Sequence, residues 1–324
     1  MTVPQFKNLF TPLELGQITL PNRIVMAPMT RFRCTSEGVA TNLVGEHYVQ
    51  RASAGLIICE SSYVHPSGRI GYQAAGICTR AQVQAWRAVT DGVHGAGGRI
   101  FLQMMHGGRF SHSTLQPDGT PPRAPSSIAA HDDPVRVAGG LAPSEMPRAL
   151  TRAEIHELIA AYGDATARAD EAGFDGVELH AANGYLPSQF LSSGTNQRVD
   201  EYGGNLANRC RFALEVIEAM SAVRGASFVG VRVSPGIRQH EVVDEDPIAT
   251  HAYFGKAVEN LGLAYLHVQT VLDFVEKRPA QFDPFLLMRE NYRGTILVAG
   301  QFDRYSGEGV IASGTAAISG TRFP

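Results

Sequence analysis

Three polar residues that could act together, His180, Asn183 and Tyr185, directly follow an apolar run at residues 174–179. Such a run is typical of a buried strand, and side chains just past its end reach a solvent-facing rim. Two hydrogen-bond donors and a phenol at a rim could polarise a carbonyl or nitro oxygen and supply a proton. A satisfied histidine beside a turn-forming Asn-Gly pair fits the same stretch, so these residues alone leave both interpretations open.

Eight buried strands that alternate with helices are predicted around this stretch. The strands are expected at 24–27, 56–60, 100–103, 174–180, 228–234, 264–268, 295–299 and 316–319. The helices are expected at 81–95, 151–171, 206–223, 246–261, 284–291 and 304–313. This alternation predicts an α/β fold, a closed parallel (β/α)8 TIM barrel, with an open doubly wound sheet as the alternative.

Two further segments complete the predicted architecture of a single domain spanning residues 1–324. Residues 13–20 are typical of an N-terminal hairpin that turns at Gly16 and Gln17. Residues 106–150 follow strand three, are rich in proline and glycine, and have little periodicity. So long an irregular excursion in a compact fold is usually a lid or substrate-binding loop, so we expect it to cap the barrel.

The strand period predicts which side chains share the mouth of the barrel. Glu178 and His180 lie on one face of their strand, as do Gly230, Arg232 and Ser234 on the next. In a barrel the functional groups sit at the carboxyl ends of the strands. A charged Arg232 inside a strand is costly unless an anionic or strongly accepting group faces it, so the pattern predicts a polar mouth.

Bulk composition excludes several classes of function. The 324 residues carry a formal net charge of −3, which gives no reason to expect nucleic acid or an anionic membrane as a partner. No apolar run approaches the roughly 18 residues of a spanning helix, and the first residues do not form a secretory leader. The four cysteines are scattered, with neither metal-type nor redox-type spacing, which favours reduced thiols in a cytoplasmic protein.

Six stretches, in the same order along the chain, resemble the Old Yellow Enzyme family of flavin-dependent ene-reductases. They are NRIVMAPMTR at 22–31, QMMHGGR at 103–109, HAANGY at 180–185, NQRVDEYGG at 196–204, VRVSP at 231–235 and AG at 299–300. The resemblance covers nearly the whole chain. It implies a TIM barrel that binds FMN and uses NADPH or NADH to reduce the C=C bond of an activated alkene. It also allows a homo-oligomer and a specialised role in a biosynthetic pathway.

The resemblance assigns a role in FMN binding to ten residues. Thr30 matches the hydroxyl that bonds the flavin O4, Gln103 the amide at the pyrimidine edge, and Arg232 the cation beside N1 and O2. The other matched positions lie near the ring or at the phosphate, and they are Pro28, Met29, Ser61, Gly300, Gln301, Gly320 and Thr321.

The resemblance also implies the catalytic roles. His180 and Asn183 match the pair that grips the activating oxygen of the substrate, and Tyr185 matches the acid that protonates the other alkene carbon. Tyr72 and Met105 match positions in the substrate pocket. Many relatives carry a tryptophan at the position of Met105, so we expect a differently shaped pocket here.

Departures from the family pattern keep one alternative open, and side chains that face the barrel interior permit a second. Gln301 and Thr321 differ from the residues usual at the phosphate, and the family continues past strand eight into a helix and tail. Without that helix we expect exposed apolar flanks on the first and seventh barrel helices. One alternative is a non-catalytic barrel that lost its flavin and binds a ligand or partner. The other is a metal enzyme with Glu178, His180 and His267 as ligands, although no ligand-spacing motif supports it.

Overall fold

A computed structural model describes residues 6–130, 133–270 and 282–321, the last four as backbone only. Its strands are β1 (Leu13–Leu15), β2 (Ile18–Leu20), β3 (Ile24–Met26), β4 (Leu56–Ile58), β5 (Ser62–Tyr63), β6 (Ile100–Met105), β7 (Arg123–Ala124), β8 (Val135–Val137), β9 (Gly140–Ala142), β10 (Arg148–Ala149), β11 (Gly176–Ala181), β12 (Val229–Val233), β13 (Tyr265–Gln269), β14 (Ile296–Ala299) and β15 (Ile318–Thr321). Its helices are α1 (Asn42–Val49), α2 (Arg80–Gly95), α3 (Arg152–Glu171), α4 (Leu186–Leu191), α5 (Leu206–Arg224), α6 (Pro247–Val258), α7 (Pro284–Asn291) and α8 (Arg304–Ala312).

Eight of the described strands form a closed parallel barrel. They pair in the order β3, β4, β6, β11, β12, β13, β14 and β15, and β15 pairs back onto β3 with Ser319 opposite Ile24. The closed ring confirms the predicted (β/α)8 barrel over the open sheet. The hairpin and the six predicted helices are also present, with ends within three residues of the expected ones.

The amino-terminal half of the barrel interior is filled by two aromatic rings. Phe101 and Tyr265 lie with their centroids 5.8 Å apart, and two glycines make room for them. A Cβ on Gly176 would come within 2.2 Å of the Phe101 ring, and one on Gly230 within 2.3 Å of the Tyr265 ring. Apolar packing therefore closes the lower barrel and leaves the polar interior positions near the carboxyl ends of the strands.

The hairpin β1–β2 packs into the same apolar cluster from outside. Its Leu15 and Leu20 are fully buried together with Phe101 and Tyr265. The turn depends on Gly16, which has φ +57°, and a Cβ there would lie 2.1 Å from the Ser227 carbonyl oxygen. The hairpin thus covers the amino-terminal end of the barrel and shields its apolar interior from solvent.

Helix α3 shows how the outer layer is specified. Thr151 and Glu154 form the predicted capping box, an arrangement that contributes about 1 kcal/mol to helix stability. The helix then buries Ile155, Leu158 and Tyr162 against the outward-facing apolar residues of the barrel strands. The strands are therefore apolar on both faces except near the mouth.

Two helices were not predicted from the sequence. Helix α1 buries only Val44 and Tyr48 and has no side-chain cap, so its periodic signal is weak. Helix α4 has only six residues. The last strand also begins two residues later than the expected position 316.

Large apolar side chains are exposed on several of the described helices. Leu43 of α1 is 54% exposed and Tyr305 of α8 is 52% exposed, and Leu286 of α7 is 50% exposed as well. The predicted exposure on the first and seventh barrel helices therefore stays a prediction, because single exposed apolar residues occur elsewhere on the surface too. None of the described helices is long and apolar enough to cross a bilayer.

The excursion at residues 106–150 is more regular than the sequence indicated. Strands β7 and β10 pair in parallel at its base, and β8 and β9 form an antiparallel hairpin. A bridge between Gly71 and Arg136 joins that hairpin to the segment after β5. Pairs of two or three residues carry too little periodicity to be recognised in a sequence rich in glycine and proline.

Candidate active site

A buried polar network lies inside the barrel above the aromatic layer. The Glu178 carboxylate accepts a hydrogen bond from Gln103 Nε2 at 2.7 Å and another from His267 Nδ1 at 2.7 Å. Ser61 Oγ donates to Gln103 Oε1, so the amide of Gln103 is held from both ends. All four side chains are 0–5% exposed. The network fixes which way the amide and the imidazole face.

The charges within this network are arranged around one carboxylate. Burial would raise the pKa of Glu178, but the neighbouring His267, Arg232 and Gln103 together lower it below its usual value. Burial lowers the pKa of His267 despite the nearby carboxylate, so the imidazole is neutral. Its proton lies on Nδ1, because that nitrogen faces the Glu178 carboxylate. Glu178 is therefore ionised and holds neutral donors in fixed orientations.

The metal-enzyme alternative does not fit this arrangement. His267 and Glu178 are hydrogen-bonded to each other and do not converge with His180 on a position that a metal ion could occupy. The described part of the chain contains no group of three histidine, cysteine or carboxylate side chains placed to hold a metal ion.

Arg232 places a positive charge at the mouth. Its strand register sets it beside His180 on one side and His267 on the other, and the side chain is 5% exposed. One guanidinium nitrogen, Nη2, donates to Gln269 Oε1. A buried cation at this position favours a ligand that is anionic or becomes so during reaction.

His180, Asn183 and Tyr185 come together at the end of β11. The rings of His180 and Tyr185 meet edge to face with centroids 4.7 Å apart. Burial, with Arg232 and His267 nearby, holds the pKa of His180 well below its usual range, so the imidazole is neutral. Burial raises the pKa of Tyr185 to about 12, which keeps its phenol protonated. The neighbouring Asn183 has φ +56° and donates its backbone N–H to Ser234 Oγ at 2.9 Å.

The segment after β3 reaches the same end of the barrel. Pro28, Met29 and Thr30 are half-buried there, and the next residue, Arg31, donates its backbone N–H to the buried Glu60 carboxylate at 3.0 Å. Burial raises the pKa of Glu60 to about 7. Glu60 therefore ties the end of β4 to the segment that carries Thr30.

The predicted phosphate-binding residues follow the last two strands of the barrel. Gly300 and Gln301 come directly after β14, and Gly320 and Thr321 are the final residues of β15. The two strands pair with Ala299 opposite Gly320, so these backbone segments are neighbours. Gln301 is exposed.

An apolar wall closes one side of the mouth. Met105, Ile70 and Ala74 form a buried cluster, and Phe32, Phe110 and Tyr185 pack against it. Tyr72, predicted for this pocket, is half-buried, and its backbone N–H donates to the Arg136 carbonyl.

Sequence reasoning missed three side chains at this mouth, Phe32, Phe110 and His240. The His240 ring stacks on Phe110 with centroids 3.8 Å apart and lies 5.4 Å from the Tyr185 ring. The positive φ of Phe32 and of His240 is a backbone property that the sequence does not reveal. Only the placement of Phe110 directly after the motif at 103–109 could have pointed to it.

The donor set fits FMN. An isoalloxazine ring presents nitrogen and oxygen acceptors along one edge and needs a cation near that edge when it is reduced. Gln103 on β6 and Arg232 on β12 supply an amide and a guanidinium from the two strands that flank β11. Among the described residues, His180 Nδ1 and His267 Nε2 are buried ring nitrogens without a hydrogen-bond partner, as expected where a polar ligand completes the site.

Comparison with known proteins decides the family. The NADH:flavin oxidoreductase / NADH oxidase family model matches residues 8–318. The chain belongs to this family. It is 39% identical over 314 residues to 12-oxophytodienoate reductase 1 of Oryza sativa subsp. japonica, covering 96% of this chain and 81% of that protein. Membership confirms the resemblance to the Old Yellow Enzyme family.

Solved structures give the same relationship. Morphinone reductase superposes with a TM-score of 0.93 at 40% identity, covering 99% of this chain and 87% of that chain. The old yellow enzyme homologue from Zymomonas mobilis gives a TM-score of 0.92 at 36% identity, covering 97% and 88%. The family member described here is therefore a flavin-dependent oxidoreductase with FMN as its cofactor and a nicotinamide as its reductant. These relatives do not favour the alternative of a non-catalytic barrel that has lost its flavin.

Proposed function

We propose that this protein reduces the C=C bond of activated alkenes, such as enones, with NADPH or NADH. The observation that carries the proposal is that the rings of His180 and Tyr185 meet edge to face beside Arg232, at the end of the strand that Asn183 follows. The names of two relatives, 12-oxophytodienoate reductase and morphinone reductase, support the same reaction class.

His180 and Asn183 would bind the activating oxygen of the alkene. A neutral imidazole retains one N–H, and the amide of asparagine offers two, so together they can donate two hydrogen bonds to one carbonyl or nitro oxygen. Such bonds strengthen as negative charge develops on that oxygen, which is the condition for catalysis.

Tyr185 would supply the proton that completes the reduction. Its phenol stays protonated at neutral pH because burial raises its pKa to about 12. The ring lies against His180, so the proton donor and the oxygen grip are fixed relative to each other. Tyr185 also forms part of the apolar wall with Met105, and Tyr72 would line the same substrate pocket.

The residues around the mouth would hold the cofactor. Thr30, Gln103 and Arg232 would bind the ring of FMN. The remaining contacts would come from Pro28, Met29, Ser61, Gly300, Gln301, Gly320 and Thr321. When bound, FMN supplies the two-electron transfer from the nicotinamide to the alkene.

The excursion at residues 106–150 would act as a cap within one domain of residues 1–324. Its Asp133 contacts His240 at 2.7 Å, and its Arg136 bridges to Gly71, so it spans the mouth from two sides. A cap would keep water from the reacting atoms. The four cysteines are all unpaired, which supports a reducing compartment such as the cytoplasm.

The test is the double variant His180→Ala with Asn183→Ala. We expect it to retain FMN, to bind phenolic ligands weakly, and to reduce 2-cyclohexenone at least a hundredfold more slowly, because two donors worth about 1.5 kcal/mol each are lost. Flavin content by absorbance and turnover by product formation are the measurements. Unchanged turnover in a variant that still holds FMN would contradict the oxygen-binding role of His180 and Asn183.

A further inference from the structure

The oxygen grip needs the amide of Asn183 in one of its two orientations. An asparagine presents N–H donors at one end of its amide and a carbonyl acceptor at the other. Only the Nδ2 end can bind a substrate oxygen, and the Oδ1 end would repel it. Something in the structure must therefore distinguish the two ends.

The exposed side chain of Gln239 contacts the Nδ2 end of this amide. Its Oε1 accepts a hydrogen bond from Asn183 Nδ2 at 2.8 Å, which leaves the second N–H of the same nitrogen for another acceptor. The backbone holds the two residues close, because a Cβ on Gly184 would lie 2.4 Å from the Gln239 carbonyl oxygen. Ser234 from the same loop, residues 234–246, accepts the Asn183 backbone N–H at 2.9 Å.

The loop around Gln239 is held in a costly conformation. The next two residues, His240 and Glu241, both have positive φ, +54° and +53°, which is strained for residues other than glycine. The buried guanidinium of Arg109 donates to the His240 carbonyl at 2.7 Å, and Asp133 contacts the His240 ring at 2.7 Å. Strain that several contacts maintain is typical of a segment whose position matters for function.

Arg109, the last residue of the motif at 103–109, links two loops at the mouth of the barrel. Arg109 Nη1 also donates to the carbonyls of Ile128 and Ala129, at 3.2 and 3.1 Å. A single buried side chain thus joins the excursion to the loop that carries Gln239. The shape of that loop depends on contacts from three parts of the chain.

We propose that Gln239 is a positioning residue that orients the amide of Asn183 with its donor end toward the substrate oxygen. This inference rests on the proposed function of Asn183. What matters at position 239 is an acceptor oxygen, not merely a side chain that fills space. The proposal therefore distinguishes substitutions that keep an acceptor from those of similar size that do not.

A double-mutant cycle on the FMN-bound protein tests the proposal. The dissociation constant of 4-hydroxybenzaldehyde is measured from the change in flavin absorbance for Gln239→Leu, Gln239→Glu and the native residue, each with Asn183 and with Asn183→Ala. We expect Gln239→Leu to weaken binding roughly fivefold when Asn183 is present, corresponding to about 1 kcal/mol, and to have no effect with Asn183→Ala. Gln239→Glu adds a charge in both backgrounds but keeps the acceptor, so the coupling to Asn183 should persist.

Matched controls separate this inference from the proposed function. Gln50→Leu changes an exposed glutamine on α1's C-terminal side and should leave binding unchanged. Equal weakening by Gln239→Leu in both backgrounds, or no weakening in either while Asn183→Ala alone weakens binding, would overturn the positioning role only. If Asn183→Ala itself leaves binding unchanged, the proposed oxygen grip fails as well.

Discussion

Replacing Glu178 probes the buried network most directly. The carboxylate accepts from Gln103 and His267, both at 2.7 Å, and lies near enough to Arg232 for that cation to lower its pKa. Glu178→Leu removes the acceptor for both donors and the negative charge that balances the guanidinium. Glu178→Gln removes the charge but keeps one acceptor oxygen.

The two variants should differ in free energy of unfolding. Removing one member of a buried charged network costs about 3–5 kcal/mol, which we expect for Glu178→Leu. In Glu178→Gln, His267 can move its proton to Nε2 and accept at Nδ1 from the new amide, so the loss should be about 1–2 kcal/mol. Because the folded pKa of Glu178 lies below its usual 4.5, its stabilisation is present above pH 4.5 and is lost as the pH falls below it.

Urea denaturation of the purified variants provides the assay. Trp86 is the single tryptophan and is fully buried, so its fluorescence reports unfolding. Glu290→Gln, at an exposed carboxylate, is the matched control and should change stability by less than about 0.5 kcal/mol. Equal losses in the two Glu178 variants, or a loss below about 1 kcal/mol for Glu178→Leu, would refute the energetic role assigned to the network.

Three further substitutions have expected outcomes. Tyr185→Phe should slow reoxidation by an enone more than reduction by NADPH in stopped-flow absorbance, and equal slowing would make Tyr185 structural. Burial lowers the pKa of His106 to about 3, so the contribution of His106 to the unfolding free energy should fall by about 1.4 kcal/mol for each pH unit from 6.5 towards 3, and His106→Gln should remove it. Burial raises the pKa of Glu60 to about 7, so the contribution of Glu60 should fall as the pH rises from 4.5 to 7, opposite in sign to that of His106. Thermal unfolding of Glu60→Gln and of the native protein should therefore differ in slope over pH 4.5 to 7, and equal slopes would contradict the assignment.

The barrel could be predicted from the sequence because each strand is a local signal. A run such as 295–299 is apolar on both faces, and the helices between the strands carry periodic stripes and caps such as Thr151 with Glu154. The number of such units favours a closed barrel, and the pairing of β15 with β3 decides it over the open sheet. The short helix α4 lacked enough residues to produce a pattern.

Contacts between distant loops could not be predicted in the same way. Gln239 contacts Asn183 from a loop whose strained residue His240 is itself contacted by Arg109 and Asp133. None of these residues forms a local pattern with another, and the positive φ of His240 is not visible in the sequence. Motifs identified the residues that would bind the substrate, whereas the residues that orient them required the fold.

An anaerobic reoxidation experiment on the purified protein tests whether the bound flavin passes its electrons to an activated alkene. The bound chromophore is identified, reduced with a stoichiometric amount of NADPH, and then mixed with 2-cyclohexenone while visible absorbance is recorded. We expect bound FMN, bleaching of its absorbance by NADPH, and recovery of the oxidised spectrum with one equivalent of cyclohexanone formed. A bleached flavin that the enone does not reoxidise, or a protein that neither contains nor takes up FMN, would contradict this expectation.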